Sequence, residues 1–155
     1  MGDDATVRDQ LRRLLDGSQA HIQPRTLLEG FPVDRINRTV PGVPYTAWQL
    51  LEHLRLAQRD ILDYISPGDY QEPAFPAGYW PDPERQATEE EWASSLGRFL
   101  ADLGALQETA VAPDTDLTAP LPRNPDHTVL RELLIIGNHN SYHLGQLAIL
   151  SRMRD

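Results

Sequence analysis

The stretch His139-Asn140-Ser141-Tyr142-His143-Leu144-Gly145-Gln146 carries two of the chain's five histidines, four residues apart. On a helix this spacing stacks both imidazoles on one side, about one turn apart. It is also the spacing by which one helix gives a metal ion two nitrogen ligands. Glu132, Ile135, Ile136, Leu147 and Leu150 extend the same face in both directions, so the histidines lie on an apolar stripe. Thr128 reads as the N-cap, and the helix runs to about Arg152.

Three further helices precede this one. Ala5 to Leu15 is amphipathic, with Val7, Leu11, Leu14 and Leu15 opposite Arg8, Arg12 and Arg13. Its pattern resumes through Ala20, Ile22, Leu27 and Leu28, interrupted at Pro24, which lacks an amide proton and crowds the preceding turn. Thr46-Ala47-Trp48-Gln49 reads as a capping box opening a helix to about Ile65, with Leu50, Leu54, Ala57 and Ile61 on one face and His53 beside them. Thr88-Glu89-Glu90-Glu91 is a second box, opening a helix to about Val111 on which Trp92, Leu96, Phe99, Leu103 and Leu106 recur at helical spacing. No strand alternation stands out. The fold expected is all-α, a four-helix bundle occupying the whole chain, 1–155, as a single domain. The proline-rich connections over 66–87 and 112–127 are too long for hairpins and allow a crossover.

Composition narrows the function. A formal net charge of −9 argues against nucleic acid and against an anionic membrane surface as partners. No apolar run approaches the roughly 20 residues of a membrane span, and the acidic start Met1-Gly2-Asp3-Asp4 does not resemble a secretory signal. The absence of cysteine removes disulfides and a cysteine nucleophile, and fits a reducing, cytoplasmic setting.

His53, His139 and His143 are the candidate metal ligands, on two facing helices. Each alone also reads as a hydrogen-bonded core histidine, and a His-x-x-x-His pair arises by chance in a chain with five histidines. A buried imidazole must satisfy both ring nitrogens, and a shared metal would do that for all three. Asp60 and Gln146 are candidates for a fourth ligand or an outer hydrogen bond, beside readings as a solvated charge and a polar packing contact. Gly145 reads as allowing close helix approach, and Tyr142 as a packed helical tyrosine beside a reading as a proton donor. His127 and His21 read as outside the site. Tyr79-Trp80 either walls a pocket or covers a core edge.

The run Asn138-His139-Asn140-Ser141-Tyr142-His143-Leu144-Gly145-Gln146 resembles the C-terminal signature of the DinB/YfiT-like metalloenzymes, and Trp48 to Arg55 resembles their first-histidine helix. Tyr79-Trp80-Pro81, Trp92 and Thr128-x-x-Arg131-Glu132 match recurring features of one branch, so the likeness covers nearly the whole chain. The resemblance implies a four-helix bundle with a crossover connection, often a homodimer, and a divalent metal on His53, His139 and His143. Some relatives are S-transferases or isomerases dependent on a low-molecular-weight thiol; many have no known activity. One departure is Asn138, where this branch often has Asp; it matters only if that side chain orients an imidazole.

Two function classes follow. One is a metal-dependent enzyme, most concretely a thiol S-transferase acting on a small electrophile as its small-molecule substrate, or a hydrolase. The other is a non-catalytic metal-binding or stress-associated bundle. Imidazole donors accept zinc, nickel, copper, iron and manganese, so the residues leave the metal open.

Overall fold

Threonine side chains start three of the helices. The structure, a computed structural model, describes residues 2–153. Its helices are α1 (Gly2–Asp16), α2 (Pro24–Glu29), α3 (Ala47–Ile65), α4 (Glu89–Val111) and α5 (Val129–Arg152). Thr46 and Thr88 accept from the amides of Gln49 and Glu91, whose side chains reach back to the threonine amides and complete two capping boxes. Thr128 accepts from the Arg131 amide. Such a cap contributes about 1 kcal/mol. Thr88→Ala is therefore expected to lower the midpoint of thermal unfolding by about 2–4 °C in a chain of this size. An unchanged midpoint would mean that α4 is fixed by packing alone.

The long helices form the expected bundle. α1 packs against α4 and α5, and α3 packs against the same two. α1 and α3 therefore occupy opposite corners, as do α4 and α5, and the connections 17–46 and 112–128 each cross a diagonal. α2 is the short piece after the Gly17-Ser18 break; Pro24 stands at its first turn, where a missing amide proton costs nothing. Arg8 ties α1 to the end of α4, donating to the carbonyl oxygens of Ala112 at 2.9 Å and Thr115 at 2.8 Å. A cation suits the carbonyl-rich end of a helix.

The core is apolar and close-packed around Phe99, Leu50, Leu54, Leu106, Leu133 and Leu147, all fully buried. One polar chain crosses it. Fully buried Gln58 donates to the Phe99 carbonyl at 2.7 Å and accepts from Asn140 Nδ2 at 2.9 Å, linking α3, α4 and α5. α1 packs closely on α5 at Gly137, where a Cβ would stand 3.0 Å from the Leu14 side chain.

Two local expectations are corrected. The 112–127 connection contains a small antiparallel pair, β1 (Pro120–Leu121) and β2 (Asn124–Thr128). Prolines at 120, 122 and 125 hide it in the sequence, because they interrupt alternation. Buried Leu117 and Leu121 hold the connection on the core instead. Gly145 is exposed, with nothing within 4 Å of a Cβ built there; close helix approach belongs to Gly137.

Candidate metal centre

α3 and α5 are neighbours, and their inward faces bring three imidazoles together. His53 lies between buried Glu52 and Leu54 on α3; His139 and His143 sit one turn apart on α5. The ring centroids form a near-equilateral triangle: 4.8 Å from His53 to His139, 4.7 Å from His53 to His143 and 4.6 Å from His139 to His143. One nitrogen from each ring lies within 4.8 Å of the others, and His53 and His143 are buried. Two nitrogens at about 2.1 Å from one ion span at most about 4.2 Å, so the set is a small side-chain adjustment from a ligating arrangement.

The outward nitrogens orient two of these rings. His53 Nδ1 donates to the Tyr79 carbonyl at 2.7 Å, and His143 Nδ1 donates to Gln146 Oε1 at 2.7 Å. Both neutral imidazoles then keep their Nε2 lone pairs for the interior of the triangle. His139 Nε2 faces His53 Nε2 at 3.0 Å. Its Nδ1 is buried with no hydrogen-bond partner among the described residues, and so is Asn140 Oδ1. The Asn140 side chain nevertheless lies close enough to favour the charged form of His139. A proton on His139 Nδ1 makes this pair a complementary donor and acceptor, and aims the third Nε2 lone pair inward. Two lone pairs 3.0 Å apart repel unless a proton or a cation lies between them. The donor set therefore fits a divalent ion: three neutral imidazoles, one nitrogen of each within 4.8 Å of the others, and outer partners for two of the rings.

Burial keeps these imidazoles neutral. It is the largest influence on all three, lowering each pKa, and His139 falls to about 4 with the charges of His143 and His53 as lesser causes. An unfolded histidine titrates near 6.5, so between about 6.5 and 4 the unfolded chain takes up a proton that the folded chain refuses. Stability of the metal-free protein is then fully present above about pH 6.5 and declines toward about pH 4. Its unfolding midpoint is expected to fall across that window, and to fall less in His139→Asn. Equal declines in the two proteins would contradict the assignment of the shift to His139.

The 66–87 connection forms one wall. Trp80 stacks flat on the His53 ring at 3.8 Å, with Tyr45 stacked on Trp80 at 4.3 Å. Tyr70 and Tyr79 donate their hydroxyls to the two oxygens of Asp60, at 2.7 Å and 2.8 Å. Beside the triangle opens a cleft of about 310 Å³, lined by His53 and His139 and mostly by apolar side chains.

The other singled-out residues separate cleanly. Asp60 lines the cleft and anchors the loop tyrosines, outside the imidazole set. Gln146 makes the outer hydrogen bond to His143. Asn138 is exposed, so the departure from Asp leaves the rings unaffected, and buried Asn140 is the nearby amide that touches the set. Tyr142 is 66 % exposed rather than packed. His127 bonds to the Tyr64 hydroxyl at 2.8 Å and lies 3.5 Å from buried Glu132. Exposed His21 reaches Ile22 and Ser141. The Tyr79 carbonyl was not legible, because a main-chain acceptor leaves no residue signature; Asn140 carried one only in lying on the same helix beside His139.

Fold and site together define a class: a helical bundle with a buried three-histidine cluster open to an apolar cleft. The chain belongs to the DinB superfamily, whose family model matches residues 5–147. No curated protein matches it. Among the described residues no helix is long and apolar enough to cross a membrane.

Proposed function

We propose that His53, His139 and His143 hold a divalent metal ion and that the protein is a metal-dependent enzyme joining a low-molecular-weight thiol to a small electrophile. The observation that carries this reading is the convergence of one nitrogen from each of three imidazoles within 4.8 Å of one another, with two rings already oriented through Nδ1. Structural zinc sites usually close with four protein ligands, whereas three with an open side is the catalytic pattern. A divalent ion there supplies Lewis acidity, favouring the thiolate or hydroxide form of a nucleophile near neutral pH.

The chain's own residues do the rest. Tyr79 and Gln146 hold His53 and His143 in the tautomer that leaves Nε2 free. Trp80 covers one face of His53 and excludes water from it. The cleft brings a substrate against His53 and His139. With no cysteine in the chain, the sulfur nucleophile has to come from a co-substrate, which a reducing cytoplasm would keep as free thiol.

The test is turnover. Protein loaded separately with zinc, nickel, manganese and iron is assayed for thiol-dependent consumption of a chromogenic aryl halide, using cysteamine and glutathione. Metal-dependent acceleration is expected. Stoichiometric metal binding with no acceleration under any combination would favour a non-catalytic metal-binding bundle.

A further inference from the structure

The histidines occupy one end of the cleft, and its other end is acidic. We propose that the cleft is a pocket for an elongated apolar substrate bearing a cationic amine, with the amine at Asp60 and Glu72 and the reactive end at the histidines. This rests on the metal-dependent reading above and adds the substrate class.

Spacing comes first. His53 and Asp60 both line the cleft from α3 and are seven residues apart, a rise of about 10 Å. Ala57, Ile61, Ile135 and Ile136 supply apolar wall to the same cleft. Phe75 stands at the same cleft and is 86 % exposed, and Ile135 is 41 % exposed. Apolar side chains left open around a concave site are what a ligand's apolar body covers.

The charge pattern selects the far end of the ligand. Asp60 and Glu72 are the acidic groups of the lining, which contains no arginine or lysine. Asp60 spends one acceptor position per oxygen on Tyr70 and Tyr79, and a carboxylate oxygen has room for a second donor. The two tyrosines thus hold the carboxylate in place without neutralising it. Glu72 is exposed and lies close enough to add to the negative field at both tyrosines. Nearby cations are committed elsewhere. Arg123 packs over the Tyr70 ring at 5.4 Å and donates to the Ser66 carbonyl at 3.0 Å, and Arg59 pairs with Asp63 and Asp102. An ammonium group entering this end meets two carboxylates and aromatic faces. A carboxylate entering it meets like charge.

Calorimetry with 4-phenylbutylamine and its uncharged counterpart 4-phenylbutanol tests this, on protein as purified and after zinc loading. The amine is expected to bind at least tenfold more tightly. That advantage is expected to shrink toward parity in Glu72→Gln and in Asp60→Asn. Glu72 is exposed, so its variant keeps the fold. Equal affinity of the two probes, an advantage unchanged in both variants, or binding of neither probe would overturn the proposal. Zinc stoichiometry on the same samples separates the two readings. Amine preference without zinc binding sinks the metal centre alone; zinc binding without amine preference sinks the substrate class alone.

Discussion

His143→Ala is expected to abolish stoichiometric metal binding, while Gln146→Ala weakens it by about 10–100-fold, the usual value of an outer hydrogen bond to a ligating imidazole. The order follows from the geometry. His143 contributes one of three convergent nitrogens, so its loss leaves a two-nitrogen site. Gln146 only accepts from His143 Nδ1 at 2.7 Å, so its loss frees the ring to rotate and to change tautomer but keeps the donor. Competition against a chromogenic chelator, with circular dichroism to confirm helicity, reads both. Full affinity in His143→Ala would remove that residue from the ligand set. Equal losses in both variants would mean that Gln146 is itself a ligand.

The largest loss of stability is expected at Phe99. Its side chain is fully buried on α4 among the core leucines, and truncation of such a ring costs about 3–5 kcal/mol through lost burial and the cavity left behind. That is a sizeable part of the roughly 5–15 kcal/mol by which domains are stable. The Phe99 carbonyl also takes the Gln58 hydrogen bond, so backbone adjustment around a cavity would disturb the polar chain to Asn140. Urea unfolding of Phe99→Ala measures the loss, and a cost below about 1 kcal/mol would mean that the core recloses around the site. α4 contributes no imidazole, so the folded fraction of this variant is expected to keep its metal stoichiometry.

Much of the fold was legible because its signals are local. Thr46, Thr88 and Thr128 announce helix starts through hydroxyl-to-amide bonds made within three residues. His139 and His143 share a face because a helix must place residues four apart together. That His53 meets them depends on α3 and α5 being neighbours, which periodicity alone does not decide; the histidines' places on or beside apolar helix faces pointed to that pairing, and the family resemblance implied the same three ligands. What escaped reading was tertiary. The Tyr79 carbonyl on His53 is main chain, the crossing at Gly137 depends on where Leu14 arrives from α1, and the β1–β2 pair sits among prolines that usually signal loop. Tyr142 reads in the sequence as a packed helical tyrosine, yet on α5 it is 66 % exposed. Asn138 drew attention as a departure from a family pattern, while Asn140 two residues on is the amide that is buried.

The central claim is that three imidazoles form one metal site. Elemental analysis of untagged protein purified without chelator, alongside His53→Ala, tests it most directly. About one equivalent of a divalent metal per chain in the wild type, lost in the variant, is the expected result. No bound metal in the wild type, even after incubation with zinc, nickel, manganese and iron, would contradict the account and leave the three histidines as hydrogen-bonded groups of a helical core.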